Sequence, residues 1–465
     1  MSSATPTILK PLASLRLTVV LFAMSVFIVF AGTLAQVDKG IWTVVHEYFR
    51  CYLTWIDFQL FFPRSWNVPG GFPFPGGWLI GALLLVNVVA AHAVRFKIQS
   101  HGPRLLLGLL VIAAGVFLSY LVLSGRFTKE VAATEDDAFW RVLWRLIKGQ
   151  SAAVVLLVGC LLAFKKRAGI VLIHAGVIVM LLAELATGLW AVEGQMRIGE
   201  GDSSNFLYHT RAVELAVVDT SNDEFEDVVV VADPALRRGG LIQHDDLPFD
   251  LEVKGFMKNS KLVEPSGADE KADNLVKYFV DDTSQIKSFL LVERSEVSGT
   301  SSEQPVDTPA VHVTFKDKRD GKTLGSYLAA MQRVDSHRIE VDGKPYDVSM
   351  RWKRTYKPYT VHLIDFRHDK YLGTDTPKNY SSLVRLIDPE RDVDREVKIW
   401  MNNPLRYRGE TFYQSSFIGE TVTILQVVRN ASWMAPYLSC MIVATGLLVH
   451  FGSNLVRFLR RRFVA

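Results

Sequence analysis

The sequence predicts an α-helical polytopic membrane protein, with about six spans and a large extracytoplasmic, mainly-β domain. Three observations support this fold class. Hydrophobic residues make up 49% of the 465-residue chain, and they are concentrated in long uncharged runs. Basic residues flank every second connection between these runs. One long segment between the last two runs instead alternates polar and apolar residues, which is typical of β-strands.

The apolar runs set the number of predicted spans, because a helix needs about 20 mostly apolar residues to cross a bilayer. The fifth run reaches that length if Glu184 is included, and the fourth is short, so it requires bilayer thinning. The six runs comprise residues 17–37, 77–94, 105–125, 151–164, 168–183 and 430–456.

The basic residues set the predicted orientation. They precede the first run, separate the second from the third and the fourth from the fifth, and follow the sixth. Because Lys and Arg are enriched in cytoplasmic loops, this pattern places both termini in the cytoplasm and residues 191–432 outside it. The basic residues in question are Lys10, Arg16, Arg95, Lys97, Arg104, Lys165, Lys166, Arg167, Arg457, Arg460, Arg461 and Arg462.

The charge distribution and the cysteines exclude several classes of function. Residues 191–432 contain 32 basic and 40 acidic residues, so the basic surplus of the chain belongs to its membrane-associated parts. Attraction to anionic lipid explains that surplus, and nucleic-acid binding is not needed. The three cysteines form no C-x-x-C pair, which argues against thiol-redox chemistry and against covalent haem attachment to this chain.

Residues 191–432 are predicted to be mostly β. The segments "VELAVVDT", "VHVTFKDK" and "YTVHLIDF" alternate or are rich in β-branched residues, and Asp342-Gly343 and Arg408-Gly409 are turn signals. Residues 265–299 are expected to form a long loop or a short helix. No nucleophile, paired-carboxylate or metal-protease motif stands out, so we do not predict an enzyme active site in this chain alone.

Three histidines fall within the predicted spans: His92, His174 and His450. An ionisable side chain inside a bilayer is costly and usually faces protein or a polar cavity. Each histidine can be explained by a hydrogen bond to a neighbouring helix or to the interface, or by axial ligation of haem iron. The small residues Ala175 and Gly176 leave room either for a flat macrocycle or for close helix packing. Spacing alone leaves these alternatives open.

Several blocks, in order along the chain, resemble the ResB family, the membrane subunit of the system II (Ccs-type) cytochrome c biogenesis machinery. "NNPLRYRGETFYQSSF" at residues 402–417 is the most specific of them. The others are residues 12–36, 168–202, 359–386 and 423–430. The resemblance implies a multi-pass protein of the bacterial cytoplasmic membrane with a periplasmic domain.

The resemblance also implies a role. With a CcsA/ResC-type membrane partner, such a protein delivers haem across the membrane and presents it to apocytochrome c on the outer face. His174 matches the family's intramembrane histidine and is the candidate axial ligand; His92 and His450 are weaker candidates. No metal other than haem iron is expected. The alternative is a scaffold or apocytochrome chaperone that binds no haem. In either case the chain would be one part of a cytochrome c haem-lyase complex.

The predicted organisation departs from the usual family pattern of four spans. Residues 1–98 hold two spans and 99–167 an additional pair, whereas 168–190 form the histidine-bearing span. Residues 191–432 form the β-rich domain, and 433–465 the last span with a basic tail. An inserted pair preserves the topology, because two crossings return the chain to the same side.

Overall fold

The computed structural model describes residues 5–95, 98–125, 137–222, 224–263, 275–280, 285–298, 306–331, 337–373 and 377–463. The chain forms two compact units. The first unit consists of Met1–Ala31, His46–Asn205 and Lys357–Ala465, and the second of Gly32–Val45 and Phe206–Tyr356. The β-rich segment is thus divided between the two units.

The long helices belong to the first unit, apart from the last residues of α2. In the described residues the α-helices are α1 (Thr5–Leu12), α2 (Leu15–Ala35), α3 (Ile41–Val44), α4 (Gly77–Arg95), α5 (Pro103–Leu123), α6 (Asp137–Phe164), α7 (Ala168–Trp190), α8 (Asp233–Arg238) and α9 (Ala435–Phe463). By length and composition, five continuous stretches of the described chain can cross a membrane. One of them, Phe139–Trp190, contains both α6 and α7, joined by the 3-10 turn Lys165–Arg167.

The surface of these helices is that of a membrane protein. Large apolar side chains are exposed along them, for example Val26 at 71% and Leu448 at 76%. Patches of this kind are unfavourable in water and favourable in lipid.

The short fourth run of the sequence is the end of a longer helix. α6 begins at Asp137. Residues 138–150, "AFWRVLWRLIKGQ", come before the predicted run and continue the helical pattern, with basic side chains on the polar face. Its 28 residues exceed the length needed to cross a bilayer, so the thinning expected from residues 151–164 is not required.

Small residues bring neighbouring helices together in opposite directions. A Cβ on Gly108 or Gly115 of α5 would lie 3.1 Å or less from atoms of Leu162 or Leu156 in α6. In the same way, Gly169 and Gly176 of α7 lie against the stretch of α9 that runs from His450 back to Ser439. Such close contacts are typical of helix pairs in membranes.

The strands of the described chain lie mostly between α7 and α9. They are β1 (Leu53–Asp57), β2 (Gly71–Pro75), β3 (Val192–Gly199), β4 (Ser203–Asp219), β5 (Asp227–Ala232), β6 (Gly240–Ile242), β7 (Phe249–Met257), β8 (Ser260–Val263), β9 (Leu275–Val280), β10 (Gln285–Glu293), β11 (Ala310–Asp317), β12 (Thr323–Ala330), β13 (His337–Val341), β14 (Lys344–Lys370), β15 (Pro377–Asp388), β16 (Val393–Trp400), β17 (Leu405–Tyr407), β18 (Glu410–Ile418) and β19 (Val422–Arg429).

The strands of the first unit pair with antiparallel neighbours, and those that follow α7 belong to one sheet. β15 pairs with the end of β14 and with β16. β19 lies between β3 and β18, and β18 also pairs with β17. The predicted strand "YTVHLIDF" is therefore present within β14, and β15 ends at Asp388, directly before Pro389.

The second unit has its own hydrophobic core. Its four-stranded sheet has the order β12-β11-β7-β6, and β10 pairs with β8 and β9. Phe249 and Phe315 are fully buried, and their rings meet edge to face at 5.3 Å. The expectation of a loop or helix over residues 265–299 is wrong for 275–280 and 285–293, which are strands; residues 264–274, 281–284 and 299 lie outside the described residues.

The predicted turns have the conformation that their residues favour. Asp342 and Gly343 have φ of 54° and 74°, and they connect β13 to β14. Arg408 and Gly409 have φ of 47° and 78°, between β17 and β18. Two successive residues with positive φ give the type I′ hairpin, whose twist matches that of the flanking strands.

Candidate functional site

Two of the three candidate histidines lie side by side within the helices. His92 of α4 and His174 of α7 have ring centroids 4.7 Å apart, with the rings nearly perpendicular. His174 Nδ1 lies 3.3 Å from His92 Nε2. Both side chains are half-buried. The structure thus brings together residues that are 82 positions apart, which spacing along the sequence could not reveal.

The hydrogen bonds around this pair determine which nitrogen carries each proton. His92 Nδ1 lies 2.9 Å from the carbonyl oxygen of Val88. A carbonyl oxygen only accepts, so His92 Nδ1 carries the proton, and in neutral imidazole Nε2 is then the acceptor. His174 Nδ1 therefore donates to His92 Nε2. This leaves Nε2 of neutral His174 unprotonated, which is the form of the ring that ligates iron.

This arrangement is chemically suited to hold haem iron through one residue. A histidine that ligates a metal usually donates its other N–H to a nearby acceptor, which fixes the ring and increases its basicity. Here His92 is that acceptor for His174. Within the described residues no group of three or more His, Cys, Asp or Glu side chains could hold a metal ion, but a haem iron requires only axial ligands from the protein.

His450 does not lie beside the pair of His92 and His174. A Cβ on Gly169 of α7 would lie 3.0 Å from Cβ of His450, so His450 faces the α9 side of α7. Gly169 and His174 are five positions apart, so at about 100° per residue their Cα atoms face directions about 140° apart around the helix. His450 and His174 therefore do not share one site.

The small residues of α7 are used for helix packing. Gly169 and Gly176 are buried, and a Cβ on Gly176 would come within 2.6 Å of Val443 Cγ2. Of the two alternatives left open by the sequence, the structure supports close contact with α9 at these two glycines rather than space for a macrocycle. Any space for a porphyrin beside His174 therefore has to lie away from the side of α7 that packs against α9.

Asn87 is a buried polar residue that gives no signal of its role in the sequence. It is 2% exposed and lies in α4, five residues before His92. Its Nδ2 donates to the carbonyl oxygens of Leu12 and Ser14 at 2.6 and 3.2 Å, and its Oδ1 accepts from Thr18 Oγ1 at 2.6 Å. These bonds satisfy backbone groups at the break between α1 and α2, and so fix α4 against α2.

The block at residues 402–417 is held by two buried polar clusters. Asp388 is fully buried and accepts from Tyr407 Oη at 2.5 Å and from Arg408 Nε at 2.6 Å. Although burial raises the pKa of Asp388, these hydrogen bonds hold it below its ordinary value. Glu410 accepts from Lys357 Nζ at 2.5 Å and also from Tyr359 Oη.

These clusters limit what the block can offer to a partner. Tyr407 and Phe412 are 3% and 0% exposed, so both pack inside the protein rather than forming a surface. Tyr413, at 38% exposed, is the aromatic side chain of this block that reaches the surface alongside Phe417.

Comparison with known proteins agrees with the arrangement of these blocks. A sequence profile of the ResB-like family matches residues 342–441, from the turn before β14 to the beginning of α9. Protein NrfI of Wolinella succinogenes is 24% identical over 365 residues, which comprise 78% of this chain and 36% of that protein. The chain thus spans about a third of the length of this relative. Its helices, its β-rich segment and these matches together lead to one conclusion: residues 342–441 match the ResB-like family, and most of the chain is similar to one longer relative.

Proposed function

We propose that this chain is a haem-handling subunit in cytochrome c biogenesis, and that His174 is its axial ligand to haem iron. The observation that carries the proposal is the hydrogen bond between His174 Nδ1 and His92 Nε2 at 3.3 Å. It orients an imidazole between two apolar helices with Nε2 in the ligating form. The match of residues 342–441 to the ResB-like family, and the similarity to protein NrfI, support the wider role.

The chain's own residues have separate tasks in this proposal. Haem, when bound, supplies the iron and the group that is finally joined to the cytochrome. His174 holds the iron, and His92 keeps the His174 ring in one tautomer and one orientation. Arg167 precedes α7, about two turns before His174, and provides positive charge for the propionates. In a bilayer, lipid and the apolar side chains of α4 and α7 would keep water away from the half-buried pair.

The remaining steps need partners. A CcsA/ResC-type membrane protein would share the haem and supply further ligands. Apocytochrome c would receive the haem on the outer face, next to the β-rich segment. The basic helix ends would lie on the cytoplasmic side of a bacterial inner membrane, with both termini inside. Thioether formation is assigned to the assembled complex rather than to this chain.

The proposal is tested by the haem content of the purified protein, co-expressed with its partner. We expect a Soret band in the wild-type complex and its loss in His174→Ala. His450→Ala is the matched control. It removes a histidine of α9 that packs against a different side of α7, so it should leave the band unchanged. An unchanged spectrum in His174→Ala, with the complex intact, would remove His174 as the ligand.

A second candidate function is a scaffold that binds no haem. The same hydrogen bond favours it, because an imidazole pair can simply join α4 to α7. In that case His174→Ala would lower thermal stability and leave the haem content of the complex intact. Deletions within residues 191–432 would then abolish recovery of the partner and the apocytochrome, whereas haem-site variants would not.

A further inference from the structure

A cavity of about 380 Å³ lies at the basic end of the helices, away from the histidine pair. It is bordered by the beginning of α5, the turn between α6 and α7, and the end of α9. Its polar lining consists of Arg104, Lys165, Lys166, His450, Ser453 and Arg457, and Leu161 and Val449 form an apolar wall. This volume lies within the range of small-ligand pockets.

The lining is strongly cationic. Four of its side chains are Lys or Arg, and none is Asp or Glu. In the part of the chain that the structure describes, Arg104, Lys165 and Lys166 form no ion pair. Lys165 is held at a φ of +49°, an uncommon conformation for a lysine. Such a concentration of like charge is unfavourable unless an anion joins it.

The tautomer of His450 also points to an anion. Arg457 Nη2 donates to Asn454 Oδ1 at 2.7 Å, which fixes the amide so that Asn454 Nδ2 faces His450. Asn454 Nδ2 lies 3.4 Å from His450 Nε2, so Nε2 accepts. In the neutral ring Nδ1 then carries the proton and is a donor. A donor nitrogen suits an anion.

We propose that this cavity binds the phosphate of an anionic phospholipid headgroup. The cavity lies where the apolar helices meet their basic ends, which is the level of the headgroups in a bilayer. Its cations and the His450 N–H match the phosphate oxygens, and Leu161 and Val449 match the beginning of the acyl chains. The proposal does not depend on haem binding at His174, because His174 does not line the cavity.

Native mass spectrometry tests this on the intact chain, extracted from vesicles of phosphatidylcholine with phosphatidylglycerol. We compare Lys165→Gln/Lys166→Gln with Arg461→Gln/Arg462→Gln, a control with the same change in charge at residues outside the cavity lining. Retention of phosphatidylglycerol should fall by about tenfold in the cavity variant. It should stay near the wild-type value in the control.

A second variant keeps every charge. Ser453→Phe should fill the cavity and also lose the lipid, so the test does not depend on the folding of the lysine variant. Equal retention in the cavity variants and the control overturns the proposal. If millimolar inorganic phosphate displaces the phosphatidylglycerol and no lipid stays bound, the proposal is also overturned, because the cavity then binds a free anion. If ferric protoporphyrin alone displaces the phosphatidylglycerol, the proposal is overturned, because the cavity then binds haem propionates.

Discussion

Replacing His92 by Phe measures how far this residue acts through His174. The substitution keeps an aromatic ring in the same space and removes the acceptor for His174 Nδ1. The lost bond is one neutral N–H···N contact at 3.3 Å, near the long end of the usual range. Such a bond contributes about 1 kcal/mol, so haem affinity should fall by about fivefold. Removal of His174 itself should abolish binding.

The assay is a haem titration of the purified protein, followed by the Soret absorbance. His92→Gln is the conservative control, because the carbonyl of its amide still accepts a hydrogen bond, and it should recover most of the affinity. His450→Phe should bind haem like the wild type. If His92→Phe abolishes binding as completely as His174→Ala, the reasoning is refuted and His92 is itself a ligand. If affinity does not change, the hydrogen bond has no role in ligation.

Three further predictions concern stability and are measured by thermal unfolding of the intact protein in detergent. Gly446→Val should cost about 1–3 kcal/mol, because its Cβ meets backbone of α7 at 2.9 Å, whereas Gly452→Val, with open space around it, should be nearly neutral. Tyr359→Phe should cost about 1.5–3 kcal/mol, because it removes a buried hydrogen bond to the charged Glu410. The lowered pKa of Asp388 means that its ionised form stabilises the fold at neutral pH. That contribution should disappear as the pH falls below about 4, and the wild type should lose more stability there than Asp388→Asn.

The helices and most of the strands could be predicted from the sequence, because their signals are local. Long apolar runs and basic flanks indicate helices that belong in a bilayer, and alternation with turn residues indicates strands. The beginning of α6 at Asp137 does not follow from hydropathy, because the first half of the helix carries Arg141, Arg145 and Lys148, which interrupt the apolar run. An amphipathic pattern, rather than hydropathy alone, indicates that part of the helix.

The candidate site could be predicted only in part. Three histidines in predicted spans were visible, but their grouping depends on which faces of the helices meet. His92 and His174 come together because α4 and α7 run in opposite directions, and His450 is excluded because it lies on the α9 side of α7. Asn87 and Asp388 were not singled out, since a lone Asn or Asp gives no signal of burial until its partners are known.

The contacts of α7 differ greatly between its two sides, with a consequence for how a bulky cofactor could enter. Against α9 the backbones of Gly169 and Gly446 touch, and the interface is extensive. Against α4 the contact is smaller and includes the hydrogen bond between His174 and His92. The close backbone contact leaves no space between α7 and α9 at these glycines. A bulky cofactor would therefore have to reach His174 from a side of α7 other than the one that α9 covers.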